Sequence, residues 1–208
     1  VAKVSFVEPL HQVALEVKQK ALIVGGGVAG METSLSLADQ GFNTFLVEKS
    51  KRLGGVANSL RTTWQDESIK PYLDNLISKI KKHPKVQVFI ETEVASTTGT
   101  IGNFTTTLIS KNGNEKQTAV EHNVVEHGVT IIATGGKEYK PKEYLYGKYP
   151  GVLTHLDLDQ ALNDEEVNDY IALKKVQSAV FIQCVGSRTD ERPYCSKVCC
   201  THSLKNAL

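Results

Sequence analysis

Six residues set the frame for this chain: Gly25-Gly26-Gly27-Val28-Ala29-Gly30, placed between the apolar run Ala21-Leu22-Ile23-Val24 and a stretch where Leu35 and Ala38 recur at helical spacing. A buried strand running into a glycine turn and then a helix opens a βαβ unit, and the G-x-G-x-x-G spacing gives each glycine a task. Gly25 permits the tight turn, Gly27 lets a pyrophosphate approach the backbone, and Gly30 lets the helix pack close to the strand. Free amides and the positive end of the helix dipole then meet an anion. Gly41-Phe42-Asn43 ends the helix and Thr44 to Glu48 returns as a second strand, so residues 20 to 50 read as strand, helix, strand in a parallel sheet. Glu48 closes that strand, where a carboxylate accepts both ribose hydroxyls of an adenosine and repels a 2′-phosphate. Lys49 follows it, equally placed to approach the adenosine or to lie in solvent.

The rest of the chain extends the same architecture. Ile69, Leu73, Leu76, Ile77 and Ile80 predict a helix over Ser68 to Lys82, with Pro71 tolerated in its first turn. Val86 to Ile90 rejoins the sheet. Between residues 93 and 127 the chain turns Thr- and Val-rich, with Asn112-Gly113 as a hairpin signal, which reads as an antiparallel β-meander. Val129 to Ala133 is a further strand, ending at Thr134-Gly135-Gly136. Thr154 and Asp157 cap a short helix through Leu162. Ala179 to Gln183 reads as a strand, and a helix starts near Cys200. The division expected is a connecting segment over 1–18, a dinucleotide-binding domain over 19–151 with its meander at about 93–127, and over 152–208 a linker helix with the truncated start of a second Rossmann-like unit.

Composition excludes several classes. Lys plus Arg total 24 against 23 Asp plus Glu, without a basic run, so the footprint of a nucleic-acid binder is missing. The longest apolar runs fall far short of the roughly 18 residues that span a bilayer. All four cysteines lie between positions 184 and 200, unlike the spread of a secreted disulfide scaffold, so a reducing, cytoplasmic setting is expected. Met31, the sole methionine, falls inside the first helix, and Leu204 and Leu208 continue a helical pattern, so a piece of a longer polypeptide is expected.

Cys184, Cys195, Cys199 and Cys200 form the second constellation, spaced C-x10-C-x3-C-C. Four soft thiolates suit an iron-sulfur cluster or zinc, although adjacent ligands are awkward for a zinc knuckle, and inert or redox thiols stay open on spacing alone. Arg188 stands close enough in sequence to tune such a centre by its charge. The six histidines show no metal-ligand spacing, and an ordinary surface or satisfied role is expected for each. Trp64 is expected to pack under the sheet rather than face a cofactor.

Two segments resemble secondary motifs of two-dinucleotide flavoproteins: Leu53-Gly54-Gly55, and Thr130-Ile131-Ile132-Ala133-Thr134-Gly135. In that resemblance Gly54 and Gly55 bring a second backbone segment to the diphosphate, and Ala133, Thr134 and Gly135 return a strand end to the cofactor. Val94, after Glu93, resembles the position whose backbone meets the adenine. The dinucleotide implied is FAD, with NAD as the alternative. A closer resemblance runs through Gly-Gly-Gly-Val-Ala-Gly-Met, Leu-Val-Glu-Lys, Ile-Ala-Thr-Gly-Gly-Lys-Glu-Tyr, Tyr-Leu-Tyr-Gly, Phe-Ile-Gln-Cys-Val-Gly-Ser-Arg and Tyr-Cys-Ser-Lys-Val-Cys-Cys-Thr-His. Together these look like the A subunit of heterodisulfide reductase.

That resemblance implies a flavoprotein moving electrons between FAD and iron-sulfur centres, in some complexes by flavin-based electron bifurcation, in others toward quinone-linked acceptors. It implies a [4Fe-4S] cluster on Cys184, Cys195, Cys199 and Cys200, whose helix N-terminus is expected to lower the thiol pKa values. The partners implied are other heterodisulfide reductase-type subunits and an electron-donor protein, with a homodimer as one assembly. Further ferredoxin-type cysteine motifs of that family are missing here, as is the C-x2-C or C-x4-C redox pair that flavoprotein disulfide reductases place beside the flavin. The rival functions are a nicotinamide-dependent FAD oxidoreductase and a degenerate scaffold domain.

Overall fold

In a computed structural model of the chain, residues 16–112, 119–163 and 176–207 are described. A four-stranded parallel sheet is built from β1 (Lys20–Val24), β2 (Asn43–Val47), β3 (Val86–Phe89) and β7 (Val129–Ile132), in the order β3-β2-β1-β7. Ala21, Leu22 and Ile23 are all buried, as expected of a central parallel strand covered on both faces. Side chains alternate across the sheet. Ala21, Ile23 and Leu46 face one way, into a core with Met31 and Leu35 of α1 (Val28–Asp39) and with Leu73, Leu76 and Ile80 of α2 (Ile69–Lys82). Leu22 and Val47 face the other way, against Leu108 and Val125.

Those last two residues belong to the meander: β4 (Thr92–Thr100), β5 (Asn103–Asn112) and β6 (Ala119–His127), antiparallel in the order β4-β5-β6. The hairpin expected near Asn112 forms, but Asn112 is itself paired, opposite Ala119, and Gly113 lies outside the described residues. Buried His127 holds the end of β6, bonding Thr106 Oγ1 through Nε2 at 2.8 Å and the Val129 carbonyl through Nδ1 at 3.0 Å. It is a satisfied core histidine.

After β7, α3 (His155–Asn163) begins with the reciprocal cap its sequence predicts. The Asp157 amide donates to Thr154 Oγ1 at 3.2 Å, and the Thr154 amide donates to Asp157 Oδ2 at 3.0 Å. Then the expectation fails. Ala179 to Gln183 is not a strand, because among the described residues no neighbouring strand offers it a hydrogen-bond ladder, and Val180 is 86% exposed. Of the second Rossmann-like unit, the described residues form the helix α4 (Cys199–Ala207) alone. Trp64 is also displaced from expectation, standing 72% exposed near the tip of a loop closed by the Thr62–Ser68 bridge. Most of the expected connecting segment, residues 1–15, lies outside the described residues.

These positions predict a contrast in stability. Ile23→Ala should cost about 2–5 kcal/mol in denaturant unfolding and Val180→Ala less than about 0.5 kcal/mol. A large loss in Val180→Ala would place residues 179–183 in a packed strand.

Candidate cofactor site

The β1–α1 turn is shaped by contacts that leave no room for side chains. Gly25 has φ +115°, and a Cβ there would stand 2.3 Å from the Ala133 carbonyl oxygen; one on Gly30 would stand 1.8 Å from the Gly25 carbonyl oxygen. Gly27 is the opposite case: a Cβ there would meet nothing within 4 Å, so this glycine faces open space. It is also the N-cap of α1, with no side-chain cap and no acidic residue in the first turn. The first-turn amides and the dipole therefore point at an open volume unopposed by any carboxylate of that turn, which fits a phosphate.

Glu48 sits directly beside this turn. Its buried carboxylate accepts the Gly26 N–H at 2.7 Å through Oε2 and the Ser50 N–H at 2.8 Å through Oε1. Burial alone would push its pKa up, but hydrogen bonds from Ser50 and Gly26 and the charge of Lys49 outweigh it and hold the carboxyl below its usual range. Its contribution to stability is thus present at neutral pH and lost as pH falls through the depressed value. Each oxygen keeps a lone pair for a further donor, such as a ribose hydroxyl.

Three more segments converge here. The Gly54 N–H donates to the Gly26 carbonyl at 2.8 Å, Gly54 bridges Gly27, and a Cβ on Gly55 would lie 3.2 Å from Gly27 Cα. Ala133 donates its N–H to the Val24 carbonyl at 2.8 Å, which sets Thr134 and Gly135 at the mouth of the turn. Thr92 donates to the Glu48 carbonyl at 3.0 Å, so β4 starts beside the acid, with Val94 next to a register shift two residues on. Gly25, Gly27, Gly30, Glu48, Gly54, Gly55, Ala133 and Thr134 are therefore joined by direct close approaches, whereas Gly135 follows Thr134 along the chain and Val94 lies two residues along β4 from Thr92. Lys49 is exposed and reaches Glu48 as a charge.

The cysteines occupy a separate loop. Arg188 and Tyr194 join by an N–H to carbonyl bond of 3.2 Å, closing a small turn flanked by Cys184 and Cys195. Cys184, Arg188 and Lys197 take left-handed backbone conformations, and the Lys197 N–H donates to Cys195 Sγ at 3.4 Å. Cys199 and Cys200 open α4, and all four thiols are free. The donor set suits a cluster, but among the described residues no three His, Cys, Asp or Glu side chains converge as ligands of one metal ion. The expected lowering of thiol pKa is overturned at Cys200. Its thiol is pushed up, first by the adjacent Cys199, with Cys184 and Cys195 adding, because crowded thiolates oppose one another's ionisation.

Sequence reasoning missed a polar cluster behind α4. Asp159 is fully buried and binds both His202 and Lys205. Its partners lie 43 and 46 residues away, and nothing in the local pattern signals the pairing.

A glycine crossing at the mouth of a parallel sheet, an acid at the end of β2 and an antiparallel meander together define a Rossmann-type FAD-binding domain. The chain belongs to the pyridine nucleotide-disulphide oxidoreductase family, whose model matches residues 19–182. Over its whole length it is 29% identical to the A component of the H(2):CoB-CoM heterodisulfide,ferredoxin reductase of Methanothermobacter thermautotrophicus, covering 43% of that protein. It is 28% identical to the second iron-sulfur A component of the CoB–CoM heterodisulfide reductase of Methanopyrus kandleri, again over its whole length and 44% of that protein. The chain thus spans less than half the length of these curated relatives. The Methanothermobacter alignment runs over 287 positions against the chain's 208 residues, so that relative carries internal residues with no counterpart here. Among solved structures, L-proline dehydrogenase from P. horikoshii aligns with 61% of this chain and 25% of its own, at 19% identity and a TM-score of 0.47.

Two glycine substitutions separate binding from folding. Gly27→Ala should leave the melting temperature of the flavin-free protein within about 2 °C while lowering flavin affinity at least about tenfold, because its methyl group enters only the phosphate's volume. Gly30→Ala should instead destabilise the fold itself, by about 1–3 kcal/mol or more, through overpacking. Equal effects of the two on unfolding would contradict this division.

Proposed function

We propose that this chain is the FAD-binding portion of a heterodisulfide reductase-type A subunit, passing electrons between flavin and iron-sulfur centres. The observation that carries the reading is the meeting of Gly26, Glu48 and Gly54 around the open face of Gly27. The amides at the start of α1 donate to the FAD pyrophosphate, Glu48 accepts from the adenosine ribose, and Lys49 screens the phosphates from the solvent side. Gly54 and Gly55 leave room for the diphosphate, the Val94 backbone meets the adenine, and Ala133, Thr134 and Gly135 border the cofactor from the end of β7. FAD, when bound, supplies two-electron chemistry that can be split into single steps. The protein's part is to orient it and to exclude competing anions.

Cys184, Cys195, Cys199 and Cys200 are the proposed ligands of one [4Fe-4S] cluster. The name of the Methanopyrus relative supports that centre, as does the donor chemistry of four free thiols in one loop. Convergence of the sulfurs is then coupled to metal uptake, as is usual where a site is not preformed. Flavin-based electron bifurcation, assembly with other heterodisulfide reductase-type subunits and an electron-donor protein, a homodimeric arrangement and a cytoplasmic location complete the proposal. No helix among the described residues is long and apolar enough to cross a membrane.

Anaerobic purification tests both cofactors. Bound flavin should absorb near about 375 and 450 nm, and reconstitution should give about four iron atoms per chain, falling sharply in Cys199→Ser. Colourless protein after incubation with FAD, or stoichiometric zinc without iron, would overturn the respective half. A further expected outcome is that reduced nicotinamide with a disulfide substrate gives no turnover by this chain alone, since no cysteine pair stands in sequence near the dinucleotide turn and the one C-x4-C spacing, Cys195 to Cys200, belongs to the separate cysteine loop. Measurable turnover would favour the nicotinamide-dependent rival.

A further inference from the structure

Helix α4, which begins with Cys199 and Cys200, is held to the protein by polar contacts rather than by an apolar face. Its buried residue is Ser203, while Leu204 is 68% exposed. Asp159 of α3 is the anchor. His202 Nε2 lies 2.7 Å from its Oδ2, and Lys205 Nζ donates to both oxygens, at 2.8 and 2.9 Å. Lys205 also donates to the Thr62 carbonyl at 3.4 Å. Ser203 bonds His155 Nε2 at 3.0 Å and receives the Gln183 side-chain amide, and His155 stacks on His202 with ring centroids 5.0 Å apart.

His202 and Lys205 stand three residues apart, on one face of the helix. A single buried carboxylate shared by both therefore fixes the rotation and the height of α4 at once, which an apolar stripe of exchangeable contacts would not do. The anchor is tied in turn to the flavin side. Gln160, the next residue of α3, donates to Ser59 Oγ at 3.1 Å, and Ser59 ends the short 3-10 turn (Gly55–Ser59) that follows Gly54. Gly54 is the residue whose amide binds Gly26 in the dinucleotide turn.

We infer that Asp159 is a positioning residue, which docks the cysteine-bearing helix against the flavin-binding domain and whose charge, balanced by Lys205, is felt at the cysteine site. This rests on the reading of the cysteine loop as an iron-sulfur site. Removing Lys205 leaves the buried acid with His202 alone, and removing the carboxylate leaves the Lys205 ammonium with the Thr62 carbonyl alone, so either single substitution loosens α4. The two differ in sign at the cluster. Losing the carboxylate makes an added electron easier to accept, and losing the ammonium makes it harder.

The test uses the full-length protein, reconstituted anaerobically with iron and sulfide, in wild-type, Asp159→Asn, Lys205→Met and doubly substituted forms. Amide hydrogen exchange over residues 199–207 should quicken at least about tenfold in each single variant, with the β1–α1 turn unchanged. The cluster's midpoint potential should rise in Asp159→Asn, fall in Lys205→Met and return toward wild type in the double variant. Unchanged exchange in α4, or potential shifts of the same sign in both single variants, would overturn the inference. Should Asp159→Asn fail to fold, Lys205→Met decides by the same two readouts. Should the wild type take up no iron, the cluster reading fails, and the exchange measurement alone decides the docking role.

Discussion

The bond from the Gly26 amide to the Glu48 carboxylate joins the β1–α1 turn to the end of β2, and the rest of the cofactor site is arranged around it. A Cβ on Gly26 would come within 2.8 Å of Glu48 Cβ and 2.6 Å of Leu53 Cδ2, so the acid approaches only because the turn is bare backbone. Once it does, Ser50 and Gly54 are drawn to the same point, and the start of β4 follows through Thr92. Burying the carboxylate is tolerable because it is hydrogen-bonded by backbone amides that would otherwise lack partners. The same amides would be the wrong environment for a second anion, unless that anion sits further along, over Gly27. There the turn is open and the helix dipole is uncompensated.

The sheet and its glycine turn are legible in the sequence because their signals are local. Ala21 to Val24, Gly25 to Gly30 and Leu73, Leu76 and Ile80 each carry a period or a spacing that has one structural solution, and the cap between Thr154 and Asp157 is written within four residues. The meander is legible as a class of structure, whereas its turn is not. Asn112-Gly113 is a strong hairpin signal, yet Asn112 is held in the ladder opposite Ala119.

Where the sequence misleads, the outcome depends on neighbours that the local pattern does not name. Residues 179–183 have the composition of a strand, but a strand exists only when another backbone pairs with it, and Val180 is left exposed. A helix N-terminus is expected to acidify the thiols at the start of α4, whereas at Cys200 the nearby thiols dominate. Asp159 and Lys205 are ordinary residues of two short helices until the fold brings them within 2.8 Å. Long-range polar pairs of this kind leave no periodicity behind, and one of them holds the helix on which the proposed electron path depends.

The adenosine and diphosphate half of the site is open to a single measurement that needs neither flavin nor iron. Titrating isotopically labelled protein with ADP supplies the ribose and two phosphates that the turn is built to take. The amide resonances of Gly26, Val28, Ala29 and Ser50 should shift together and saturate with one dissociation constant, while those of residues 199–207 stay in place. Absence of any saturable shift at the turn, or shifts centred on the cysteine helix instead, would contradict a dinucleotide site at Gly25 to Gly30.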